Sequence, residues 1–531
     1  MPVLRNFQIP GRSPLRVTNA AVATSHPLAS ATALRVLQEG GNAIDAAVAA
    51  AAVLAVVEPQ STGIGGDGFM LYAPKGGSEV IGFNGSGRAP ARAELAWFQA
   101  QGISEIGGHS PHAVTIPGVV DMWSQVVADH GTRELGALLA DAIAYAENGY
   151  VVGDRVAFDW RAAASTVAHD ENAARVFLPG SQPPKAGHVH KQPQLAATLR
   201  AIARQGRAAF YEGPLAADMV RHLKSLGGLH AEEDFAATRG EYVKPITTDY
   251  RGHTLHQIPP NNQGLTTLMM MNVLEGYDMK AMGALSPERL HLEIEAGRFA
   301  YAARDAWIAD PAKAHVNIAG MLGQDFAASL RQRISLRRAA TEIALPELRK
   351  SDTVYLTVVD RDLNAVSFIN SIYHSFGSGI MSPGTGVLLQ NRGMSFRIDP
   401  AHPNCIAPGK RPLHTIMPGM VTKGEKCLMP YGVMGGDYQP FGHVHLLQNV
   451  LDFGMNPQSA LDAPRVFASG GTVEVEHGLR QSTRATLVAM GHRLVDAPEP
   501  LGGGQAILLD HARGTLTAGS DPRKDGCALG Y

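Results

Sequence analysis

A glycine-rich sequence, GIGGDG at residues 63–68, matches the G-x-G-x-x-G pattern of dinucleotide-binding loops. Such a loop needs a strand before it and a helix after it, because the pyrophosphate binds at the helix N-terminus. Here an Ala-rich helical pattern precedes the glycines and a strand-like run, residues 69–72, follows them. The order is reversed, so we favour a tight turn with close backbone approach, and a dinucleotide-binding protein is only a remote alternative.

Two histidine pairs, His188/His190 and His443/His445, are the first candidates for metal binding. Their i, i+2 spacing puts both rings on one face only in a strand, and no carboxylate or cysteine cluster accompanies them. We therefore expect ordinary polar histidines and no metal. The sequence also contains no G-x-S-x-G nucleophile elbow, no H-E-x-x-H and no Walker A motif.

The pair Gly435–Gly436 could stabilise an anion. Asp437 and Pro440 follow it, and both suit the opening of a helix through residues 443–450. Glycines at a helix N-terminus expose backbone N–H groups beside the positive end of the helix dipole, which favours an oxyanion. A simple loop-to-helix turn explains the same residues, and without further information it is the better interpretation.

The elements that would position these residues follow an α/β pattern. Residues 17–24 are predicted to be a strand, and a first helix opens at Ser25-His26-Pro27. Gly40, Gly41 and Asn42 end this helix, with Gly41 and Asn42 suited to a left-handed cap, and residues 42–57 form the Ala-rich second helix.

A predicted hairpin lies in the middle of the chain. Residues 353–359 and 365–371 are β-branched runs, and residues 360–364 between them have the composition of a turn. Residues 189–330 are mainly helical, with a short β stretch around residues 250–258. Long helices together with paired strands favour a layered α/β architecture.

Composition excludes several classes of protein. The 531 residues contain 46 Lys and Arg against 48 Asp and Glu, so the net charge of −2 provides no single-sign field for a nucleic acid or an anionic membrane. The longest apolar run, between Asp45 and Glu58, has only 12 residues, too few to span a bilayer. Three cysteines and no signal-peptide pattern favour a cytoplasmic protein.

Several separate motifs together resemble the γ-glutamyltranspeptidase family of N-terminal-nucleophile hydrolases. They keep the family's order and approximate spacing from about residue 20 to about residue 470. The motifs are EGGNAIDAAV at 39–48, EPQ at 58–60, GIGGDGFM at 63–70, DYRG at 249–252, IPP at 258–260, TVVD at 357–360, FGSGI at 376–380, KRPL at 410–413 and Gly435–Gly436.

The resemblance implies a four-layer αββα sandwich built from a precursor that cuts itself into two chains. Alignment on residues 357–360 implies cleavage between Asp352 and Thr353, which makes Thr353 the N-terminal nucleophile. Residues 1–352 would form the large subunit and residues 353–531 the small one, intertwined in one globular unit. The freed α-amine can act as the base for the hydroxyl of the same residue, so no cofactor is needed.

The resemblance also assigns the remaining site residues. Gly435 and Gly436 correspond to the family's oxyanion-hole pair. The family's Thr-Leu-Asn stretch on the second strand corresponds to residues 371–373, which places Ser371 with the catalytic groups and Tyr373 beside the substrate. The family's Ser-Ser pair after Arg-Pro-Leu is His414-Thr415 here.

The departures from the family pattern concern the amino-acid clamp. The family's α-carboxylate ligand falls at Ser86, with Arg88 two residues further on, and its α-amine ligand falls at Ser395. Arg392 is gained where the family tends to have an uncharged polar residue. An arginine in a pocket favours a planar carboxylate, and bulkier Tyr373 and His414 leave less room, so we expect a small anionic amide.

Among the branches of the family, this pattern is most like that of the enzymes that hydrolyse oxamate to oxalate and ammonia in purine degradation. The alternatives are hydrolysis or transfer of γ-glutamyl or glutaryl amides, with Arg88 replacing the clamp, and an unprocessed, non-catalytic relative. The expected partners are the small anionic substrate and the two subunits of one precursor, and the resemblance also allows a higher homo-oligomer. Nucleic acids and membranes are not expected partners.

Overall fold

The computed structural model describes residue 8, residues 11–341, residues 343 and 348, and residues 353–531. The strands are β1 Leu15–Val17, β2 Ala21–Ala23, β3 Asp67–Ala73, β4 Ile81–Gly85, β5 Tyr150–Val151, β6 Val189–His190, β7 Glu241–Val243, β8 Ile246–Tyr250, β9 His253–Gln257, β10 Val354–Val359, β11 Ala365–Ser371, β12 Gly419–Lys423, β13 Lys426–Met434, β14 Val466–Ser469, β15 Thr472–Val475, β16 Leu494–Asp496, β17 Gly503–Asp510, β18 Thr515–Ser520 and β19 Ala528–Gly530.

The helices are α1 Pro27–Gln38, α2 Ala43–Val57, α3 Leu95–Ala100, α4 Val119–His130, α5 Leu135–Leu138, α6 Ala140–Asn148, α7 Asp154–Ala162, α8 Ala164–Val167, α9 Glu171–Phe177, α10 Pro193–Gln205, α11 Arg207–Tyr211, α12 Pro214–Ser225, α13 Glu232–Ala236, α14 Gly264–Glu275, α15 Met279–Met282, α16 Pro287–Trp307, α17 Ile318–Leu322, α18 Gln324–Arg333, α19 Gln439–Leu451, α20 Pro457–Asp462 and α21 Gln481–Ala489. Within the described ranges, none of these helices is both long and apolar enough to cross a membrane.

Two seven-stranded sheets form the centre of the molecule. One has the order β1-β18-β17-β13-β12-β9-β8 and the other the order β19-β2-β10-β11-β3-β4-β7. The neighbouring strands in both sheets run antiparallel. Each sheet contains strands from before and after position 352, so β10 lies between β2 and β11, and β12 lies between β9 and β13.

The side chains of β10 show how the layers pack. Val354, Leu356 and Val358 belong to a core shared with α1, α2 and α4, whereas Tyr355 and Val359 belong to a second core between the two sheets. A third core joins α14, α16 and α19 to the outer face of the other sheet. The strand is buried on both faces because helices cover one and the second sheet covers the other. The predicted αββα sandwich is confirmed.

The Ala-rich helix α2 fits this packing. All its residues from Ala43 to Val57 are buried, and its small side chains allow close approach to α1 and β10. Asn42 caps its N-terminus together with Asp45 in a capping box. The turn of the predicted hairpin also holds the start of α2, since the Asp360 carboxylate accepts a 2.9 Å hydrogen bond from the Ala43 N–H.

Two local predictions were wrong in detail. Residues 17–24 do not form one strand, because β1 pairs with β18 in one sheet and β2 pairs with β10 in the other, and the chain crosses between the sheets at residues 18–20. The residue in the left-handed region after α1 is Gly40, with φ +88°, rather than Gly41 or Asn42. Asn42 is extended because it caps the next helix.

Candidate active site

Thr353 and Ser371 lie opposite each other at the open end of the β10–β11 hairpin. Val354 pairs with Asn370, so the next pair outward brings Thr353 beside Ser371. The Thr353 Oγ1 donates to the Ser371 Oγ at 3.3 Å, and both side chains are buried. Ser371 Oγ also accepts a 2.8 Å bond from the Tyr373 N–H. Asp352, the other half of the predicted cleavage site, lies outside the described residues.

The glycine-rich segment at residues 63–68 supports this end of the hairpin from behind. A Cβ on Gly66 would lie 2.2 Å from the Ser371 carbonyl oxygen, and one on Gly65 would lie 2.1 Å from the Leu388 carbonyl oxygen. The helix α2 precedes the segment and β3 follows it, which is the reverse of a dinucleotide site. The glycines therefore allow backbone segments to meet closely next to Ser371.

Arg392, Tyr373 and Thr415 form a second cluster. The Arg392 guanidinium is fully buried, its Nη1 donates to Thr415 Oγ1 at 2.8 Å, and its Cζ lies 3.8 Å from the centre of the Tyr373 ring. Among the described residues, its Nε and Nη2 have no hydrogen-bond acceptor. Burial lowers the pKa of Arg392 to about 10, with Tyr373, Asp67 and Asp437 opposing the shift, so it is still a cation at neutral pH.

A buried cation with two free donors is costly unless an anion completes it. The free Nε and Nη2 lie on one edge of the planar guanidinium, and this edge matches both oxygens of a carboxylate. Tyr373 itself has φ +79°, a region that a non-glycine residue adopts only when its surroundings hold it there. The cluster therefore has the charge and the donor geometry that a planar anion requires.

His414 lies next to this cluster and is held by Asp67. Its Nε2 donates to Asp67 Oδ2 at 3.0 Å, and its ring meets Phe69 edge-on. Burial, with the Arg392 charge, lowers the pKa of His414 to about 3, so the ring is neutral. The other Asp67 oxygen accepts from the backbone N–H groups of Gly87 and Gly118 and from the Gln390 side chain. His414 is thus held as a neutral ring that donates a hydrogen bond to Asp67 and is not poised to release a proton as an acid.

The Gly435–Gly436 turn lies between the end of β13 and α19. Gly435 has φ +122° and Gly436 φ +61°, and a single 3₁₀ turn leads from Gly436 into α19, with Pro440 in its first turn. These φ values favour glycine, because a Cβ would clash with the backbone in this region. The turn confirms the predicted loop-to-helix geometry, and its oxyanion role is still a prediction.

A network of side chains fixes this glycine turn. Gln263 Nε2 donates to the carbonyl oxygens of Gly436 at 3.0 Å and Thr415 at 2.6 Å. Arg304 on α16 donates from Nη1 to Gln263 Oε1 at 2.7 Å and to Asp437 Oδ1 at 2.5 Å. Gln263 therefore connects the glycine turn to the residue that contacts Arg392.

A cavity of about 320 Å³ opens onto these groups. Tyr373, Thr415, Asp437 and Arg304 line it, and so does Leu348 from the segment before Thr353. Arg392 lies behind its two contacts, Tyr373 and Thr415, rather than on the cavity wall. The cavity thus reaches the two residues that contact Arg392 and the Arg304–Asp437 pair that fixes the glycine turn, whereas Thr353, Ser371 and the two glycines are not part of its wall.

The positions that correspond to the family's amino-acid clamp are engaged elsewhere. Ser86 bonds to the Asn84 side chain at 2.6 Å, and Ser395 donates to the Leu413 carbonyl oxygen at 2.9 Å. Arg88 is half-buried beside Asp310, with a nitrogen–oxygen distance of 3.8 Å. The structure brings Tyr373, Arg392, His414 and Thr415 together, whereas Arg88 contributes to a separate ion-pair cluster.

Sequence reasoning missed Asp67, Gln263 and Arg304. Asp67 had a visible signal, because it is the single acidic residue within the glycine-rich segment. Gln263 is the N-cap of α14, three residues after the IPP motif, and Arg304 is an ordinary residue of the long helix α16, so neither carried a chemical signal of its own. Their importance comes from contacts with Asp437 and Gly436, more than 130 residues away.

The two stacked sheets between helical layers are the architecture of the N-terminal-nucleophile hydrolases. The chain belongs to the gamma-glutamyltranspeptidase family, whose sequence model matches residues 29–531. It is an amide hydrolase made as a self-cleaving proenzyme that yields two chains.

Two curated relatives match nearly the whole chain. It is 38% identical over 524 residues to the glutathione hydrolase-like YwrD proenzyme of Bacillus subtilis, covering 97% of this chain and 98% of the relative. It is 35% identical over 529 residues to the oxamate amidohydrolase proenzyme of Klebsiella pneumoniae, covering 97% and 99%.

A solved structure agrees with this assignment. Cephalosporin acylase from Bacillus halodurans superposes with a TM-score of 0.93 at 38% identity, covering 100% of this chain and 99% of the acylase. The three proteins carry names for different substrates. The family relationship therefore defines the type of reaction, and the acyl group that is accepted depends on the residues of the local site.

Proposed function

We propose that Thr353, released by cleavage after Asp352, is the nucleophile of an enzyme that hydrolyses oxamate to oxalate and ammonia. The observation that carries the substrate assignment is Arg392, a buried guanidinium with two donors on one edge that find no acceptor in the described part of the chain. In oxamate the carboxylate adjoins the amide, so one arginine can anchor the anion while the amide carbon faces the nucleophile. The similarity to oxamate amidohydrolase supports the same choice.

The proposed reaction proceeds through an acyl-enzyme. The Thr353 α-amine, with an ordinary pKa of about 7.7–8.0, takes the proton of Oγ1 as this oxygen attacks the amide carbon. The Gly435 and Gly436 N–H groups stabilise the oxyanion of the tetrahedral intermediate. The carbon–nitrogen bond then breaks, and the ammonium of Thr353 returns its proton to the departing ammonia.

Water completes the cycle. The α-amine accepts a proton from a water molecule that attacks the Thr353 ester, and the intermediate collapses to oxalate with the proton returned to Oγ1. Ser371 orients Thr353 Oγ1 through the 3.3 Å hydroxyl contact. Arg392 and Thr415 hold the substrate carboxylate through both steps, with Tyr373 and His414 limiting the room around it.

A second candidate is a hydrolase of longer amides, such as glutaryl or γ-glutamyl amides. The observation that favours it is the cavity of about 320 Å³, which also reaches Arg304 and Asn404 and exceeds the needs of a two-carbon acid. The name of the 38%-identical Bacillus subtilis relative points to this substrate class. The same nucleophile and oxyanion groups serve either substrate.

The deciding experiment compares kcat/KM of the fully processed enzyme for oxamate, oxamide, glutaramate and γ-glutamyl anilide. Oxamide is the matched control, because it replaces the carboxylate by a neutral amide of nearly equal size. We expect oxamate to be the best substrate and oxamide to be poorer by about 10²-fold or more. Faster hydrolysis of glutaramate or γ-glutamyl anilide would support the second candidate, and equal rates for oxamate and oxamide would reject the carboxylate site.

A further inference from the structure

Three buried side chains form a cluster on the far side of α16 from the candidate active site. His291 and Glu295 are four residues apart on this helix, and His492 follows α21. His291 Nδ1 lies 2.7 Å from His492 Nε2, and the three ligand-type atoms lie within 4.8 Å of one another. The i, i+4 spacing places both α16 residues on one face, so the helix itself presents two ligands.

The hydrogen bonds of His291 fix which nitrogen faces the cluster. Its Nε2 lies 2.7 Å from the Ser335 carbonyl oxygen, which can only accept, so Nε2 carries the proton. Nδ1 therefore points its lone pair at His492. A histidine whose outer N–H is held by a backbone carbonyl has the arrangement that is usual for metal ligands.

Glu295 supplies an oxygen, and its neighbours moderate its charge. One carboxylate oxygen accepts from Arg298 Nη1 at 3.0 Å and the other from the Ala340 N–H at 2.8 Å. Because Arg298 offsets the carboxylate, an ion that needs several oxygens and much negative charge, such as Ca²⁺ or Mg²⁺, fits poorly. Two imidazoles and one carboxylate instead suit an ion of the zinc type.

We propose that His291, Glu295 and His492 bind a divalent transition-metal ion of the zinc class. Binding would replace the proton shared by the two imidazoles, and the nitrogens would open from 2.7 Å to about 3.3 Å, the separation set by tetrahedral Zn–N bonds of about 2.0–2.1 Å. A small cavity of about 100 Å³, lined by His492, Arg298 and Ala340, leaves room for a water as the fourth ligand.

The site would fasten the segment that leads to the predicted cleavage position. Ser335 and Ala340 bond directly to His291 and Glu295, and Arg298 donates to the carbonyl oxygens of Ala340 and Ile343. A bound ion would therefore stabilise the packing of Ser335, Ala340 and Ile343 against α16. This role is separate from amide hydrolysis. The sequence analysis predicted no metal because the proposed ligands are spread over 201 residues of the chain.

The test uses the full-length protein, freed of metal with a chelator and then titrated with Co²⁺ or Zn²⁺ alone. We expect one equivalent of Co²⁺ with a visible d–d absorption band, and a Tm that rises with Zn²⁺. His492→Ala should abolish binding and Glu295→Gln should weaken it by at least about tenfold. His477→Ala, which removes an exposed histidine, is the matched control and should bind normally.

Wild-type protein that binds no Co²⁺ would overturn the proposal, and so would undiminished binding by His492→Ala. The wild-type titration decides the matter even where a variant folds poorly. Because the readouts are absorption, stoichiometry and Tm, the result is independent of the amide substrate.

Discussion

At the scale of single residues, Thr353 and Ser371 place two hydroxyl groups side by side at the buried end of the hairpin. Strand formation alone does not require hydroxyl groups there. Both side chains are buried, and each hydroxyl must find a partner or lose free energy. The 3.3 Å contact satisfies part of this demand and orients Thr353 Oγ1. The family relationship gives the position its chemical meaning, because a β-branched residue at the start of a strand is otherwise unremarkable.

Thr353→Val should remain a single chain of 56.3 kDa without activity, because it keeps the side-chain shape and removes the attacking hydroxyl. The wild type should give fragments of about 37 and 19 kDa, in proportion to 352 and 179 of the 531 residues. A denaturing gel and N-terminal sequencing measure both outcomes.

Thr357→Val is the matched control for this experiment. Thr357 is buried on the same strand, and its hydroxyl donates to the Val366 carbonyl oxygen at 2.9 Å. It should lose about 1 kcal/mol of stability and still be cleaved. Cleavage of Thr353→Val, or a small fragment that begins elsewhere than Thr-Val-Tyr-Leu, would refute the nucleophile assignment.

Arg392→Lys should lower kcat/KM for oxamate and leave self-cleavage intact, because it retains a charge and loses the planar two-donor edge. Arg392→Met should lose about 2–5 kcal/mol of transition-state stabilisation. Steady-state kinetics on fully processed protein measure both effects.

Arg88→Met provides the comparison, since Arg88 pairs with Asp310 outside the cluster. We expect its kcat/KM for oxamate to match the wild type. If Arg392→Met keeps the wild-type kcat/KM for oxamate and Arg88→Met lowers it, the carboxylate-binding residue is Arg88 instead.

Residue-level prediction from the sequence depended on motifs that fix a position, and the roles it assigned are still predictions. The correspondence of short motifs led to Tyr373, Arg392, His414 and Thr415, and these four residues do lie together. It could not reveal that His414 is held by Asp67 or that Gln263 joins Thr415 to Gly436. Such contacts join residues that are distant in sequence, and only the folded chain determines them.

At the scale of elements, the turn between β13 and α19 positions the candidate oxyanion donors. Gly436→Ala should lower kcat by about 10²–10³-fold, because φ +61° disfavours a Cβ and the turn would have to shift its N–H groups. The measurement is kcat of protein that has been checked for complete processing.

Gly454→Ala is the control at the other end of the same helix. Gly454 has φ +65°, and a Cβ there meets no atom within 4 Å. It carries the same backbone penalty, of about 1 kcal/mol, so it should reduce stability and leave kcat unchanged. If Gly436→Ala behaves like Gly454→Ala, the turn has no special part in catalysis.

The helix α16 acts on this turn through Arg304. Arg304→Lys should reduce kcat by up to about 10²-fold with little change in KM, because Gln263 and Asp437 would lose their shared donor and the glycine turn would move. Kinetics and Tm should be measured on the same preparation.

Arg289→Lys tests whether this effect is specific. Arg289 is also buried on α16, where it pairs with Glu293 at 3.1 Å. Both variants should lower Tm, and only Arg304→Lys should lower kcat. Equal losses of kcat in the two variants would show that α16 contributes stability alone.

At the scale of the whole molecule, the sequence predicted the class of fold better than its connections. The hairpin of β10 and β11, the helix α2 and the helix after Gly436 occur as predicted, because each has clear end residues. The order of strands within the two sheets could not be derived this way. It depends on which buried faces meet, as the crossing from β1 in one sheet to β2 in the other shows.

The buried histidines make the whole molecule sensitive to acid. Burial lowers the pKa to about 3 or 4 for His26, His190, His230, His256, His414, His443 and His492. In the unfolded chain these rings return to a pKa of about 6.5 and bind protons that the folded state does not bind. Their contribution is fully present above about pH 6.5 and is lost as the pH falls toward 4.

We therefore expect the free energy of unfolding to fall steeply between pH 6.5 and pH 4, by as much as about 1.4 kcal/mol per pH unit for each histidine. Urea unfolding across this range measures the slope, which divided by about 1.4 kcal/mol gives the number of protons taken up on unfolding. His443→Gln should reduce the slope by about one proton, whereas His477→Gln, at an exposed position, should leave it unchanged. A stability that is constant from pH 7 to pH 4 would contradict the prediction, since seven neutral buried rings require proton uptake.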